Sequence, residues 1–207
     1  MSIHVMMLCL VVFSADTLWT VDFGSSPSGW IAGSQWQWLD DSVFLDIDVG
    51  GLGSGYHSNQ DSLLSPVFLV PENADSLVLC IEHYWWGYGS INSPYNTAQS
   101  TSTLFMCSSS APGQPSELWE ISGYVGDNTG QTDYGYSVVD SEPISVPITN
   151  VYPGDSLGFK LSGLVETYVY DISAYANIEW NLVSFSIINF VTQRLERGTW
   201  GAVKSSF

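Results

Sequence analysis

The sequence predicts an all-β sandwich on three observations. Short runs rich in β-branched, leucine and aromatic residues recur along the chain, each too short for a helix. Clusters of Gly, Pro, Asn, Asp and Ser punctuate them at close intervals. No window keeps an apolar period of 3.6 residues. The plainest case is 62–86, SLLSPVFLVPENADSLVLCIEHYWW, where VFLV and SLVLCIEHYWW read as two core strands separated by Pro71 and the ENAD turn. Two strands are marginal in water until another apolar face covers them, so the rest of the chain must supply a second layer. At 207 residues, 45% hydrophobic and 14% aromatic, the chain suffices for one sizeable core and one domain.

The elements follow in order. Residues 1–14, MSIHVMMLCLVVFS, read as an export signal, because the apolar run from Val5 to Phe13 has the length of an h-region and is too short to span a bilayer. Cleavage after Ser14 puts Val12 and Ser14 where short side chains are wanted; the alternative is a buried N-terminal strand. LWTVDF is then a first strand, ended by GSSPSGW, and QWQWL sets Trp36 and Trp38 on one face. In the next strand Val43, Leu45, Ile47 and Val49 point one way and Asp46 and Asp48 the other, the alternation of a half-buried strand. GGLGSGYHSNQD reads as a loop whose glycine spacing makes no phosphate cradle. Beyond Cys107, SSSAPGQPSE is a loop, LWEISGY a strand and GDNTGQTDYGYS a long polar connection. PISVPI, with prolines inside its alternation, is an edge strand. SLGFKL turns Leu157, Phe159 and Leu161 inward, ETYVYDI follows, and IEWNLVSFSII shifts its apolar parity between Leu182 and Val183, which predicts a bulge. The sandwich is thereby assigned to 15–189 and a basic C-terminal tail to 190–207.

Charge separates these parts. Residues 1–193 carry 20 Asp and Glu against Lys160 alone, a balance of −19, whereas Arg194, Arg197 and Lys204 against Glu196 leave 194–207 at +2. Such a body repels phosphate backbones and anionic headgroups, which argues against nucleic acid and membrane partners and leaves cations, neutral sugars and proteins. With the signal removed, Cys80 and Cys107 remain, an even count in an exported chain. If SLVLCIEHY pairs antiparallel with TSTLFMCSSS, one register sets Cys80 opposite Cys107 and permits a disulfide; the alternative is two separate thiols acting as small hydrophobes.

The order of WTVDF, PSGW, DID, SLLSPVFL, LVLCIEHY and a closing EWNLVSFSI resembles the cleaved-adhesin and MAM-like modules of large bacterial surface and secreted proteins, across 18–189. The resemblance implies a jelly-roll-like antiparallel β-sandwich, an adhesive role and a structural calcium. In that family acidic residues on the last strand help to hold the ion. Here Leu182, Val183 and Ser184 stand in the matching place and bring no carboxylate.

Two sets of residues are candidates for a site. Asp46 and Asp48 project from one strand face about 7 Å apart, and with carbonyls of GGLGSG could furnish part of the shell of six to eight oxygens that calcium needs. The plainer reading of the pair is a solvated face. Asp127, Asn128 and Asp133 in the later loop lack the EF-hand spacing. Aromatic rings stack on sugars and extended peptides, which makes Tyr84, Trp85, Trp86 and Tyr88 the candidate ligand-binding residues. Trp85 and Trp86 face opposite ways if the strand continues through them, so one of the two packs inside. Catalysis has little support: beyond the signal the histidines are His57 and His83, His83 shares the parity of Leu79 and Ile81, and no G-x-S-x-G elbow occurs. The expectation is a secreted or cell-surface, non-catalytic module that binds a glycan or an extracellular protein. A carboxylate-based hydrolase acting on polysaccharide is the alternative.

Overall fold

The computed structural model describes residues 12–24, 27–126 and 134–193. Among them there is no helix, and thirteen strands run Val12–Asp22 (β1), Ile31–Ala32 (β2), Trp36–Trp38 (β3), Val43–Leu52 (β4), Gly55–Leu64 (β5), Phe68–Leu69 (β6), Leu77–Ile91 (β7), Thr97–Ser108 (β8), Ser116–Gly126 (β9), Gly135–Asp140 (β10), Ile144–Ile148 (β11), Ser156–Val169 (β12) and Ser173–Gln193 (β13). They form two antiparallel sheets. The seven-stranded sheet has the order β10-β7-β13-β4-β3, with β1 extending the β4 side of β13 and β11 the outer side of β7. The six-stranded sheet has the order β2-β5-β12-β8-β9, with β6 also on β12. The chain passes between sheets from β1 to β2, β2 to β3, β4 to β5, β6 to β7, β7 to β8, β9 to β10, β11 to β12 and β12 to β13, and the last described strand, β13, lies between β4 and β7. This is jelly-roll winding, and the all-β sandwich predicted from the sequence is the fold.

Alternation builds the core. Along β7, Leu77, Leu79, Ile81, His83 and Trp85 face inward while Cys80, Glu82, Tyr84 and Trp86 face outward, and β12 buries Leu157, Phe159, Leu161 and Val165 in the same way. Glycines on the inner face make room for the largest rings. A Cβ on Gly87 would lie 2.2 Å from the Trp85 ring, and the Tyr136 ring fills the space that a Cβ on Gly89 of β7 or on Gly123 of β9 would occupy. Along β13, inward positions run to Leu182 and resume at Phe185, with the register shift between Leu182 and Ser184 that the sequence predicts. β11 pairs only with β7, as Pro147 within it requires.

Four sequence expectations change. VFLV is not a core strand beside β7: only Phe68 and Leu69 pair, and they do so with β12 in the other sheet. GGLGSGYHSNQD is strand for most of its length, because β5 pairs with β12 from Gly55 to Leu64 although its inward positions His57, Asn59 and Asp61 are polar. The polar connection ends early, Gly135–Asp140 pairing with β7. The Cys80–Cys107 register does not form. β7 and β8 lie in opposite sheets, and Cys80 on β7 and Cys107 on β8 face outward from them, both as free thiols. The signal and tail expectations fall largely outside the described residues, although β1 already pairs from Val12 and β13 continues to Gln193.

One end of the sandwich is tied by a buried amide. Asn96 is fully buried between β7 and β8; its Nδ2 donates to the carbonyls of Asp171 (2.8 Å) and Ser173 (2.7 Å), and its Oδ1 accepts from the amides of Tyr170 (2.8 Å) and Asp171 (3.1 Å). All four hydrogen-bonding sites of the side chain are used on the β12–β13 turn, where Ile172 sits at φ 65°, a region that β-branched residues avoid. Replacing Asn96 with Ala strands several backbone groups and releases that turn, so urea denaturation should show a loss of roughly 2–4 kcal/mol. A loss under about 0.5 kcal/mol, the size of an ordinary surface change, would show that water replaces the amide.

Candidate functional site

The residues that converge lie on the outer face of the seven-stranded sheet. Registers across β7, β13 and β4 give four rows: Tyr84, Asn181 and Phe44; Trp86, Glu179 and Asp46; Tyr88, Asn177 and Asp48; Ser90, Tyr175 and Gly50. Side chains in a row are about 4.5–5.5 Å apart at Cβ. The two candidate sets, aromatic from β7 and acidic from β4, are therefore brought onto one surface with β13 between them.

The aromatic members form a short run. Trp86 and Tyr88 stack with centroids 6.0 Å apart and planes at 30°, and Tyr88 approaches Tyr175 at 6.2 Å. The Trp86 indole N–H donates to Ser137 Oγ on β10 at 3.0 Å, which fixes the ring, and Tyr84 is 46% exposed beside it. Tyr175 leans across Gly50, 3.7 Å from where a Cβ would stand, and feels the charge of Asp48. From beneath, the buried Ser100 hydroxyl on β8 donates to the Asn177 carbonyl at 2.8 Å and anchors β13 to the opposite sheet.

The polar members are dominated by acceptors. Asn177 Nδ2 donates to Asp46 Oδ1 (3.2 Å) and to the Ile47 carbonyl (3.3 Å), while its Oδ1 is shielded and has no partner; Asn181 Oδ1 is in the same condition. Burial, then the charge of Asp46, raises the pKa of Glu179. Burial also raises that of Tyr175, with the charge of Asp48 and the hydrogen bond to it next in importance and smaller contributions from Asp46 and Glu179. Among the described residues no group of three or more His, Cys, Asp or Glu side chains is arranged to hold a metal ion.

Other expectations resolve differently. Trp85 is removed from the ligand-binding set: it is fully buried, and its indole N–H donates to Ser102 Oγ across the core at 2.8 Å. The opposed faces of Trp85 and Trp86 follow from alternation, as the sequence predicts. His83 is a satisfied core histidine. The Trp180 indole can only donate, so Nδ1 accepts at 3.3 Å and Nε2 carries the proton that it gives to the Glu142 carbonyl at 2.9 Å. Burial lowers its pKa against the opposing pull of Asp140, 4.0 Å away. Asp127, Asn128 and Asp133 lie outside the described residues. Sequence reasoning missed Tyr175, Asn177, Glu179 and Asn181. Their signal is the alternation of YANIEWNL, where Ala176, Ile178, Trp180 and Leu182 are core and the residues between are not.

No family model matches the chain, and no curated protein matches it.

Proposed function

We propose that the chain is a secreted or cell-surface recognition module of adhesin type that binds carbohydrate on the outer face of its seven-stranded sheet. The observation that carries this reading is the run Trp86, Tyr88 and Tyr175 beside Asp46, Asp48 and Glu179 on one face. Flat rings stack on the apolar faces of sugars, and fixed acceptors take their hydroxyl protons. The jelly-roll winding is compatible with the resemblance to cleaved-adhesin and MAM-like modules, and an extracellular protein is the other partner this surface suits. The acidic body argues against nucleic acid.

A glycan array tests the reading. Trp86→Ala should weaken binding to the glycans captured by about tenfold, the worth of one good stacking contact, whereas Tyr124→Ala on the opposite sheet should leave it unchanged. Equal binding by wild type and Trp86→Ala would place recognition elsewhere. One observation favours the hydrolase: Glu179 lies directly opposite Asp46, and its raised pKa is the condition for a general acid paired with an ionised carboxylate. Incubating captured glycans with the protein decides between the two, since turnover abolished by Glu179→Gln or Asp46→Asn would establish catalysis.

Calcium enters the proposal as the ion that neutralises Asp46 and Asp48 while no cationic ligand occupies them, with water completing its shell. At matched ionic strength calcium should raise the Tm of the wild type, by about 2.7 kcal/mol of stability when present at 100 times its Kd, and should do less for the Asp46→Asn, Asp48→Asn variant. Identical responses would make the pair a solvated face.

A further inference from the structure

The hydrogen-bonding balance of this face specifies its ligand further than stacking does. Two of its donor groups are engaged within the protein, the Asn177 amide on Asp46 and Ile47 and the Trp86 indole on Ser137. Acceptors are in surplus. Asp46 and Asp48 are exposed, and Asn177, only 7% exposed, holds an Oδ1 with no partner beside them. A shielded amide oxygen without a donor is rare and marks a place where a donor is missing. Asn181 Oδ1 repeats the pattern two positions beyond Glu179 on the same face. No described base offsets the charge here, because Lys160, the one Lys or Arg before Arg194, pairs with Leu64 and Phe105 on the other sheet.

Resting on the carbohydrate reading above, we propose that this face selects cationic saccharides, oligomers of an unacetylated amino sugar, whose ring lies on Trp86, Tyr88 and Tyr175 and whose ammonium group is held by Asp46, Asp48 and Glu179. An ammonium offers three donors and no acceptor, which matches a surface of the opposite kind. It also relieves repulsion among the carboxylates and is attracted to the faces of the neighbouring rings. A uronic acid oligomer carries the wrong sign. A neutral oligomer stacks equally well but leaves the carboxylates uncompensated.

Calorimetry with defined oligomers tests the proposal. Glucosamine oligomers, N-acetylglucosamine oligomers of the same length and oligolysine would be titrated into the full chain at mildly acidic pH, with a chelator present to remove calcium. Glucosamine oligomers should bind at least about tenfold more tightly than the acetylated ones, and the preference should shrink as salt is added. Glu179→Gln combined with Asp46→Asn should abolish the preference, because it lowers affinity for the glucosamine oligomer much more than for the acetylated one, whereas Tyr124→Ala on the opposite sheet should change neither. Both substitutions preserve side-chain shape, and a circular dichroism spectrum and Tm close to those of the wild type would report an intact sheet. Equal affinity for the two sugars would overturn the charge selection and leave the carbohydrate reading standing. Binding of neither sugar would overturn both. Oligolysine binding as tightly as the amino sugar would show that charge alone is read, and would also overturn the proposal.

Discussion

The alternation of β13 is the constraint on which the rest of the structure depends. This strand has β7 along one edge from Ala174 to Asn189, and β4 followed by β1 along the other, so every strand of its sheet is placed by it directly or through one neighbour. Its inward residues Ile178, Trp180, Leu182, Phe185 and Ile187 are fully buried, and its outward residues Tyr175, Asn177, Glu179 and Asn181 line the proposed site. A strand with period 2 cannot change one set without changing the other. The bulge at Val183 resets the parity, so that β1 covers the second half with the same face inward as β4 covers the first.

Packing beneath the site explains why its side chains are held in place. Trp85 and Trp180 fill the middle of the sandwich, with Trp36 and Trp119 against Trp180 at 5.9 and 5.7 Å. Gly87 and Gly89 let two large rings approach the β7 backbone at the positions that alternate with Trp86 and Tyr88. The outward rings are thus mounted on a strand whose inner side is filled and whose ends are tied, at one end by Asn96 and at the other by Asn189, which accepts from the amides of Asp75 and Ser76. A binding surface on a regular sheet is more closely fixed than one on loops.

Much of this was legible in the sequence because it rests on period and punctuation. The alternation of Val43 to Val49, the inward set of β12, the proline-bearing edge strand β11 and the bulge after Leu182 are local patterns, and each occurs as read. What local pattern does not carry is which strands become neighbours. That is why β7 and β8 were expected to pair, with Cys80 opposite Cys107, when the chain instead crosses to the other sheet between them. β5 was missed because His57, Asn59 and Asp61 occupy inward positions that usually announce a strand by being apolar. Glu179 and its neighbours on β13 gained meaning only when the fold set Asp46 and Trp86 on either side. The acidic and aromatic sets were each visible in sequence; their meeting on one surface was a tertiary fact.

Adjacent tryptophans allow the claim that ligand meets this face to be read within a single strand. The Trp86 indole N–H lies on the outer face, bonded to Ser137, and the Trp85 indole N–H lies in the core, bonded to Ser102. In heteronuclear NMR spectra recorded while a captured glycan is added, the Trp86 indole resonance should move progressively and saturably while that of Trp85 stays in place. A spectrum in which the Trp86 resonance is unmoved at saturation, with shifts confined to the loops or to the six-stranded sheet, would contradict the account.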